Sequence, residues 1–389
     1  MYLFRVQNYT LIYSLKEKYS SNKAKKDYIW KTCYTFVARK LAYKLMKLFN
    51  HTFFCIVLIL MLLSCQGNPS KEPPQVKKLF QSGEYPQAVY FEGKYYYLCQ
   101  PSVHNSITVY EADAIDSLPT ARQKVVFQDD VLDHIWSPEL HSINGNWYIY
   151  FEADTDGNTD NHQLYVIENT SHNPMEGEWT LKGPLQTNKE WNFGLHPTVL
   201  NVRGELYLFW SGWPKRRVEH ETQCIYIAHL KDPWTVDSER VMLSEPEYEW
   251  ERQWINPDGS RSAYPIYVNE NPEAFLSPDG RHVCVFYSAS GVWTQFQFLG
   301  LLTAPSTANL LVPEVWTKSP EPISIGDSTV YSASNIYLVS SEDNDKQTCY
   351  LLYQAKWKED DQEQCGIFYK PVLWSEQGIP ILDPHDSDE

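Results

Sequence analysis

The chain of 389 residues carries 49 acidic against 33 basic side chains, a formal net charge of −16. An excess of that size argues against nucleic acid or anionic lipid as a partner. With 15% aromatic and 43% hydrophobic residues, the chain has ample material for a core, which excludes a disordered polymer.

Taken from the N-terminus, residues 53–63 read FFCIVLILMLL, an apolar run of signal-peptide length that is short for a membrane span. It ends in Leu62-Leu63-Ser64-Cys65, with a small residue directly before the cysteine. That ending resembles the lipobox of bacterial lipoproteins, where the chain is cut before the cysteine and the thiol carries a diacylglycerol. The resemblance implies a leader over 1–64, lipidation of Cys65, a tether over 65–79 and a folded domain over 80–389. The protein would then sit on a bacterial membrane, in the outer membrane facing the periplasm or the cell surface. Met46-Lys47 would open an ordinary signal peptide, leaving 1–45 as a long leader or a mis-assigned start. The competing reading makes 53–63 a buried strand; the polar, proline-containing stretch 66–75 suits a tether better.

Beyond residue 64 there remain 22 basic and 47 acidic residues, a net charge of −25. Cys99, Cys224, Cys284, Cys349 and Cys365 also remain, an odd number without metal-type spacing. No metal site is expected from them, and Cys349–Cys365 is the candidate for a single disulfide.

A repeat then runs through residues 80–355. Tyr85-Pro86, Ser137-Pro138, His196-Pro197 and Asn271-Pro272 are followed by Gly93, Gly145, Gly204 and Gly280, at spacings of seven, seven, seven and eight. Each glycine precedes a run of aromatic and β-branched residues, such as Lys94-Tyr95-Tyr96-Tyr97-Leu98. The pattern predicts a strand opened by proline, a tight turn at glycine and a second strand. A weaker fifth copy, Asn335-Ile336-Tyr337-Leu338 with a strand over 348–354, lacks both proline and glycine. Spacings of roughly 50–75 residues suit four-stranded blades, so the expected class is all-β, a five-bladed β-propeller. A β-sandwich of repeated hairpins is the alternative, and the even register argues against it. In a propeller the residues around each proline converge on the axis, which makes Tyr85, Ser137, Glu139, His196, Glu270 and Ser334 candidates for one pocket.

At these residues the chain resembles glycoside hydrolase family 43, the arabinofuranosidase and xylosidase propellers. Ile135-Trp136-Ser137-Pro138-Glu139-Leu140-His141 with Gly145-Asn146-Trp147-Tyr148-Ile149-Tyr150 is similar to the family segment W-A-P-E-[IL]-H…G-K-W-Y-I-Y. Leu206-Tyr207-Leu208-Phe209-Trp210-Ser211-Gly212-Trp213, Asp232-Pro233-Trp234-Thr235, Val268-Asn269-Glu270-Asn271-Pro272-Glu273 and Tyr287-Ser288-Ala289-Ser290-Gly291-Val292-Trp293-Thr294 match further family stretches in order. The resemblance implies hydrolysis of glycosidic bonds with inversion, by an Asp base, a Glu acid and an Asp that tunes the acid. An inverting enzyme needs two carboxyl groups about 6.5–9.5 Å apart, with water between them. The acid falls on Glu270, the base position on Tyr85 and the tuning position on His196. Two of the three carboxylates are thus absent at their expected places. The family's axial histidine, in a G-P-G-H-N segment often tied to a central ion, falls on Ser334. That ion would lose its expected ligand, and no cofactor is expected.

Three groups could stand in. Glu84 precedes Tyr85 and would need a bulge to turn inward. Glu139 could face Glu270 across the pocket or orient sugar hydroxyls, and His196 could itself move a proton. A protonated His196 would push the Glu270 pKa down, the wrong direction for an acid. The bland readings are a salt-bridged Glu270, an axial His196 bonded to carbonyls and a Tyr85 that packs. Most propeller tryptophans lie between blades; Trp136 and Trp293, at strand ends, are the candidates for stacking on sugar. Arg216-Arg217 could meet an acidic sugar, although a solvated loop pair is the commoner explanation. The function expected is exo-acting release of a pentose such as arabinose by an altered inverting mechanism, from an oligo- or polysaccharide, by a monomer. The alternative is a carbohydrate-binding lipoprotein that kept the pocket and lost the base.

Overall fold

The computed structural model of the protein describes residues 76–190, 192–215, 221–253, 266–291, 297–325, 329–343, 346–357 and 365–383. All of them fall in the compact unit Pro73–Glu389. Cys65, Arg216, Arg217 and Trp293 lie outside the described residues.

The described chain is built of strands and short 3-10 turns. β2 (Gln87–Phe91), β3 (Lys94–Leu98), β4 (Ser106–Ala112) and β5 (Arg122–Gln128) form blade 1. β6 (Asp133–Ile143), β7 (Asn146–Asp154), β8 (Gln163–Asn169) and β9 (Thr180–Pro184) form blade 2. In blade 3, β10 (Leu195–Val202), β11 (Glu205–Gly212) and β12 (Glu221–Asp232) are flanked by β13 (Thr235–Val236) and β14 (Val241–Ser244). Blade 4 is β15 (Ile266–Leu276), β16 (His282–Ala289), β17 (Phe298–Pro305) and β18 (Thr317–Lys318), and a short parallel pairing links β12 to β15. Blade 5 orders β19 (Val330–Asp343), β20 (Lys346–Trp357) and β21 (Cys365–Pro371), with β1 (Lys77–Phe80) outermost. The first strand of the domain therefore completes the last blade. A small hairpin, β22 (Leu373–Trp374) and β23 (Pro380–Ile381), follows. The fold is an all-β, five-bladed propeller, as the repeat implied.

The glycine of the repeat makes the first turn of each of blades 1 to 3. Phe91 pairs with Lys94, Ile143 with Asn146 and Val202 with Glu205, leaving two-residue loops. Both loop residues have positive φ, for example 53° at Asn144 and 84° at Gly145, the geometry that matches strand twist in a tight hairpin. The aromatic runs then pack between blades. Five buried clusters fill the five seams; Tyr96, Leu98, Leu140 and Trp147 join blades 1 and 2, and Leu79, Tyr95, Leu352 and Tyr369 join blades 5 and 1.

Cys349 and Cys365 are free thiols, which corrects the disulfide expected between them. β20 and β21 run antiparallel with Cys365 opposite Lys356, seven residues along the strand from Cys349. At about 3.3 Å per residue they stand roughly 23 Å apart, far outside disulfide reach.

Candidate active site

The five inner strands kink at the same place. The residue before each proline of the repeat has a left-handed backbone: φ is 52° at Tyr85, 44° at Ser137, 53° at His196 and 52° at Asn271. In the fifth blade Asn335 does the same at 47°, although Ile336 follows it instead of proline. Such values cost energy for a residue with a side chain, so five in register require something that holds them. The holding group is one hydrogen bond per blade. The amide of Tyr85 donates to Gln354 Oε1 at 3.3 Å, that of Ser137 to Gln100 Oε1 at 3.2 Å and that of His196 to Glu152 Oε2 at 3.0 Å. The amides of Asn271 and Asn335 donate to Ser211 Oγ at 3.0 Å and Ser288 Oγ at 3.1 Å. Every acceptor comes from the second strand of the preceding blade, or just beyond it, so the ring of five bonds also stitches blade to blade.

Immediately before the kinked residues stand Glu84, Trp136, Leu195, Glu270 and Ser334; after the prolines come Gln87, Glu139, Thr198, Glu273 and Tyr337. The axial cavity is lined by Tyr85, Ser137, Glu139, His196, Asn271 and Tyr337 among others. The cavity measures about 30 Å³, room for a water-sized group.

Glu270 is 8% exposed, and Gln223 Nε2 donates to its Oε2 at 3.4 Å. Burial pushes its carboxyl up to about 8, against a smaller downward pull from Gln223. Tyr85 lies with its ring over His196, centroids 5.3 Å apart and planes 21° from parallel. Burial, then the charges of Glu270 and Glu152, hold the Tyr85 hydroxyl well above its ordinary range, so it keeps its proton. His196 is buried, and burial followed by the neighbouring His162 lowers it to about 3. The imidazole is neutral near pH 7, so the expected downward push on Glu270 is absent.

The stand-ins sort differently from expectation. Glu84 is exposed and does not turn inward. Glu139 lines the axial cavity, with its Oε2 3.1 Å from His141 Nε2. Its acidic neighbour is Glu273, whose carboxyl is raised far above normal by burial and then by Glu139, whereas the shift at Glu270 includes no contribution from Glu139. Trp136 is half-buried, its ring 4.5 Å from that of His162. Ser334 is wholly buried and offers a hydroxyl oxygen where the resemblance places an imidazole. Among the described residues, no three His, Cys, Asp or Glu side chains gather as an ion site would require.

Sequence reasoning missed Glu152. It is wholly buried on β7, and burial raises its carboxyl to about 8 against the His196 amide and the Ser137 hydroxyl. Its Oε1 has no hydrogen-bond partner among the described residues and lies 3.8 Å from His196 Nε2. A signal was available: Gln100, Glu152 and Ser211 each stand fourteen residues after the proline of their blade. Glu152 is the one acid among the five acceptors.

The axial carboxyls, the kinked strand openings and the ring closure can be set beside known proteins. The sequence model of the glycosyl hydrolases family 43 matches residues 79–380. The chain belongs to that family. It is 30% identical over 276 residues to an extracellular exo-α-(1→5)-L-arabinofuranosidase of Streptomyces chartreusis, covering 68% of this chain and 77% of that one. It is 32% identical to α-L-arabinofuranosidase 43 of Humicola insolens over 61% of this chain, and spans about half of that longer protein, 47%. Among solved structures, an α-L-arabinofuranosidase from Lactobacillus brevis superposes with a TM-score of 0.65 at 27% identity, over 77% of this chain and 93% of that one. An endo-arabinase from Bacteroides thetaiotaomicron, TM-score 0.56 at 16% identity over 78% and 99%, shares the fold. As a family 43 member the protein is a glycosidase, acting on O-glycosyl bonds.

Proposed function

We propose that this glycosidase releases terminal arabinofuranose from arabinose-bearing glycans with inversion, using Glu270 as the general acid. The observation that carries the reading is the Glu270 carboxyl, buried next in the chain to Asn271 of the axial cavity, close enough to act on the Tyr85 hydroxyl, and raised to about 8. A carboxyl still protonated at neutral pH can donate to the glycosidic oxygen as that bond breaks. The arabinofuranosidase names of the relatives support the sugar.

The water that attacks the anomeric carbon must lose a proton. Tyr85 and a neutral His196 of low basicity are poor acceptors at the position the resemblance gives the base. Glu152 is the further carboxyl beside them, but burial raises it to about 8 and it holds its own proton near neutrality, so we assign the base to none of the three. The same two residues favour a second reading, a carbohydrate-binding propeller without turnover. We also propose that the protein is held at a membrane through a diacylglycerol on Cys65, which Cys65→Ala would release into the soluble fraction.

The test uses the purified protein with an aryl α-L-arabinofuranoside and arabinan oligosaccharides. Hydrolysis that Glu270→Gln lowers by about 10²–10⁴-fold supports the acid. Thermal stabilisation by the sugars, without hydrolysis and unchanged in Glu270→Gln, supports the binder.

A further inference from the structure

A cleft of about 430 Å³ lies at the seam of blades 5 and 1, and it shares no lining residue with the axial cavity. Three segments place it towards the hairpin turns, away from the strand openings. Tyr90 lies three residues past Gln87 on β2, roughly 10 Å along the strand and one pair short of the turn. Tyr350 lies four residues before Gln354 on β20, again on the turn side of the residue that holds the Tyr85 amide. Asp113 follows Ala112, which pairs with Tyr95 beside the blade 1 turn.

The lining combines rings with charges. Tyr95 and Tyr369 are buried in the seam, whereas Tyr90 and Tyr350 are half-buried. Each half-buried ring leans on a buried one: Tyr90 on Tyr95 with centroids 5.0 Å apart, Tyr350 on Tyr369 at 5.7 Å. Asp116 is fixed in the same lining. The Tyr369 hydroxyl donates to its Oδ1, and Lys77 Nζ donates to its Oδ2 at 3.0 Å. Those two bonds, Tyr369 first, hold the Asp116 carboxyl below its ordinary range against partial burial. The side chains of Asp116 and Lys77 are nevertheless 59% and 51% exposed, so both keep capacity for a further bond. Asp113, ion-paired with Lys94, adds a second exposed carboxylate.

We propose that this cleft is a second glycan-binding site, which holds an uncharged stretch of an arabinose-bearing polymer away from the bond that is cleaved. The choice of sugar rests on the glycosidase reading, whereas the site rests on its own lining. A sugar ring has C–H faces that suit braced tyrosines, and hydroxyls that can donate to Asp116 and accept from Lys77. A wholly apolar ligand would strip water from the Lys77–Asp116 pair and return no hydrogen bond. Two carboxylates against one amine in the lining, on a chain of net charge −16, oppose phosphate or uronate. A polymer held here keeps its chain ends at raised local concentration near the axial cavity.

The experiment runs the wild-type protein, Ala114→Arg and Tyr350→Ala through native gels containing soluble arabinan, with an aryl α-L-arabinofuranoside assayed alongside. Ala114 is exposed in the cleft lining, so its variant fills the space and folds even if Tyr350→Ala does not. The expected result is retardation of the wild type and an apparent Kd for arabinan about tenfold higher in the variants. Their kcat/KM on the aryl glycoside stays within about twofold of wild type. The proposal is overturned if arabinan does not retard the wild type, or retards the variants equally. It is also overturned if aryl glycoside hydrolysis falls in parallel, or if polygalacturonan retards the protein more strongly than arabinan. Should the wild type hydrolyse no arabinoside, the glycosidase reading fails by itself. The cleft then stands if Ala114→Arg loses retardation while Glu270→Gln keeps it, and falls otherwise.

Discussion

Glu270 and Glu152 carry protons in the folded chain that they would lose when exposed, because burial raises both from about 4.5 to about 8. The stability they contribute is complete below about 4.5 and is lost as pH rises through about 8. His196 works in the opposite sense: lowered from 6.5 to about 3, it contributes stability above about 6.5 that is lost as pH falls towards 3. Thermal unfolding followed by circular dichroism is expected to give a Tm that declines on the alkaline side towards pH 8. Glu152→Gln, which keeps an oxygen for the His196 amide, should flatten that decline; an unchanged slope would contradict the assignment. Among single residues, Glu270 was legible as a position because the family resemblance sets the acid two residues before Pro272. Glu152 was not, since it sits in an aromatic strand and its role depends on a neighbouring blade. Tyr85 and His196 were legible as positions, but their stacking and neutral state follow from burial, which sequence spacing does not express.

At the level of the strand, the kinks depend on side chains that the hairpin pattern does not contain. Ser288 Oγ takes the amide of Asn335 at 3.1 Å, and both groups are buried. Ser288→Ala leaves that amide without an acceptor, a loss of about 1–3 kcal/mol. Urea unfolding should show the lower midpoint with an unchanged slope, and Ser288→Thr should recover most of it. The tight turns of blades 1 to 3 were readable directly, since glycine after Glu92, Asn144 or Arg203 supplies the positive φ of a two-residue loop. The fifth kink was only half readable. Asn335 keeps the left-handed geometry with Ile336 behind it, because the cap from Ser288 and a further bond from Asn335 Nδ2 to Gln354 Oε1 at 2.9 Å hold it without proline.

Across the whole molecule, the five copies fixed the blade number, while the closure lay outside the repeat. β1 is four residues long and pairs with β21 from the far end of the chain, so no local pattern marks it. Its Leu79 enters the cluster that seals blades 5 and 1. Removing residues 77–80 exposes the edge of β21 and should replace one cooperative unfolding transition by a broad one with aggregation. Retention of a single sharp transition would show that the ring closes without it. The cysteine expectation failed for a related reason: spacing along the chain says nothing of two strands that pair in opposite directions.

The central claim is that the propeller delivers Glu270 to its axis as a buried, protonated acid. The pH dependence of kcat/KM on an aryl arabinofuranoside whose leaving group needs protonation tests it most directly. The account predicts an alkaline limb with an apparent pKa of about 8, abolished together with the activity in Glu270→Gln. An alkaline limb that persists in Glu270→Gln at near wild-type rates would contradict it.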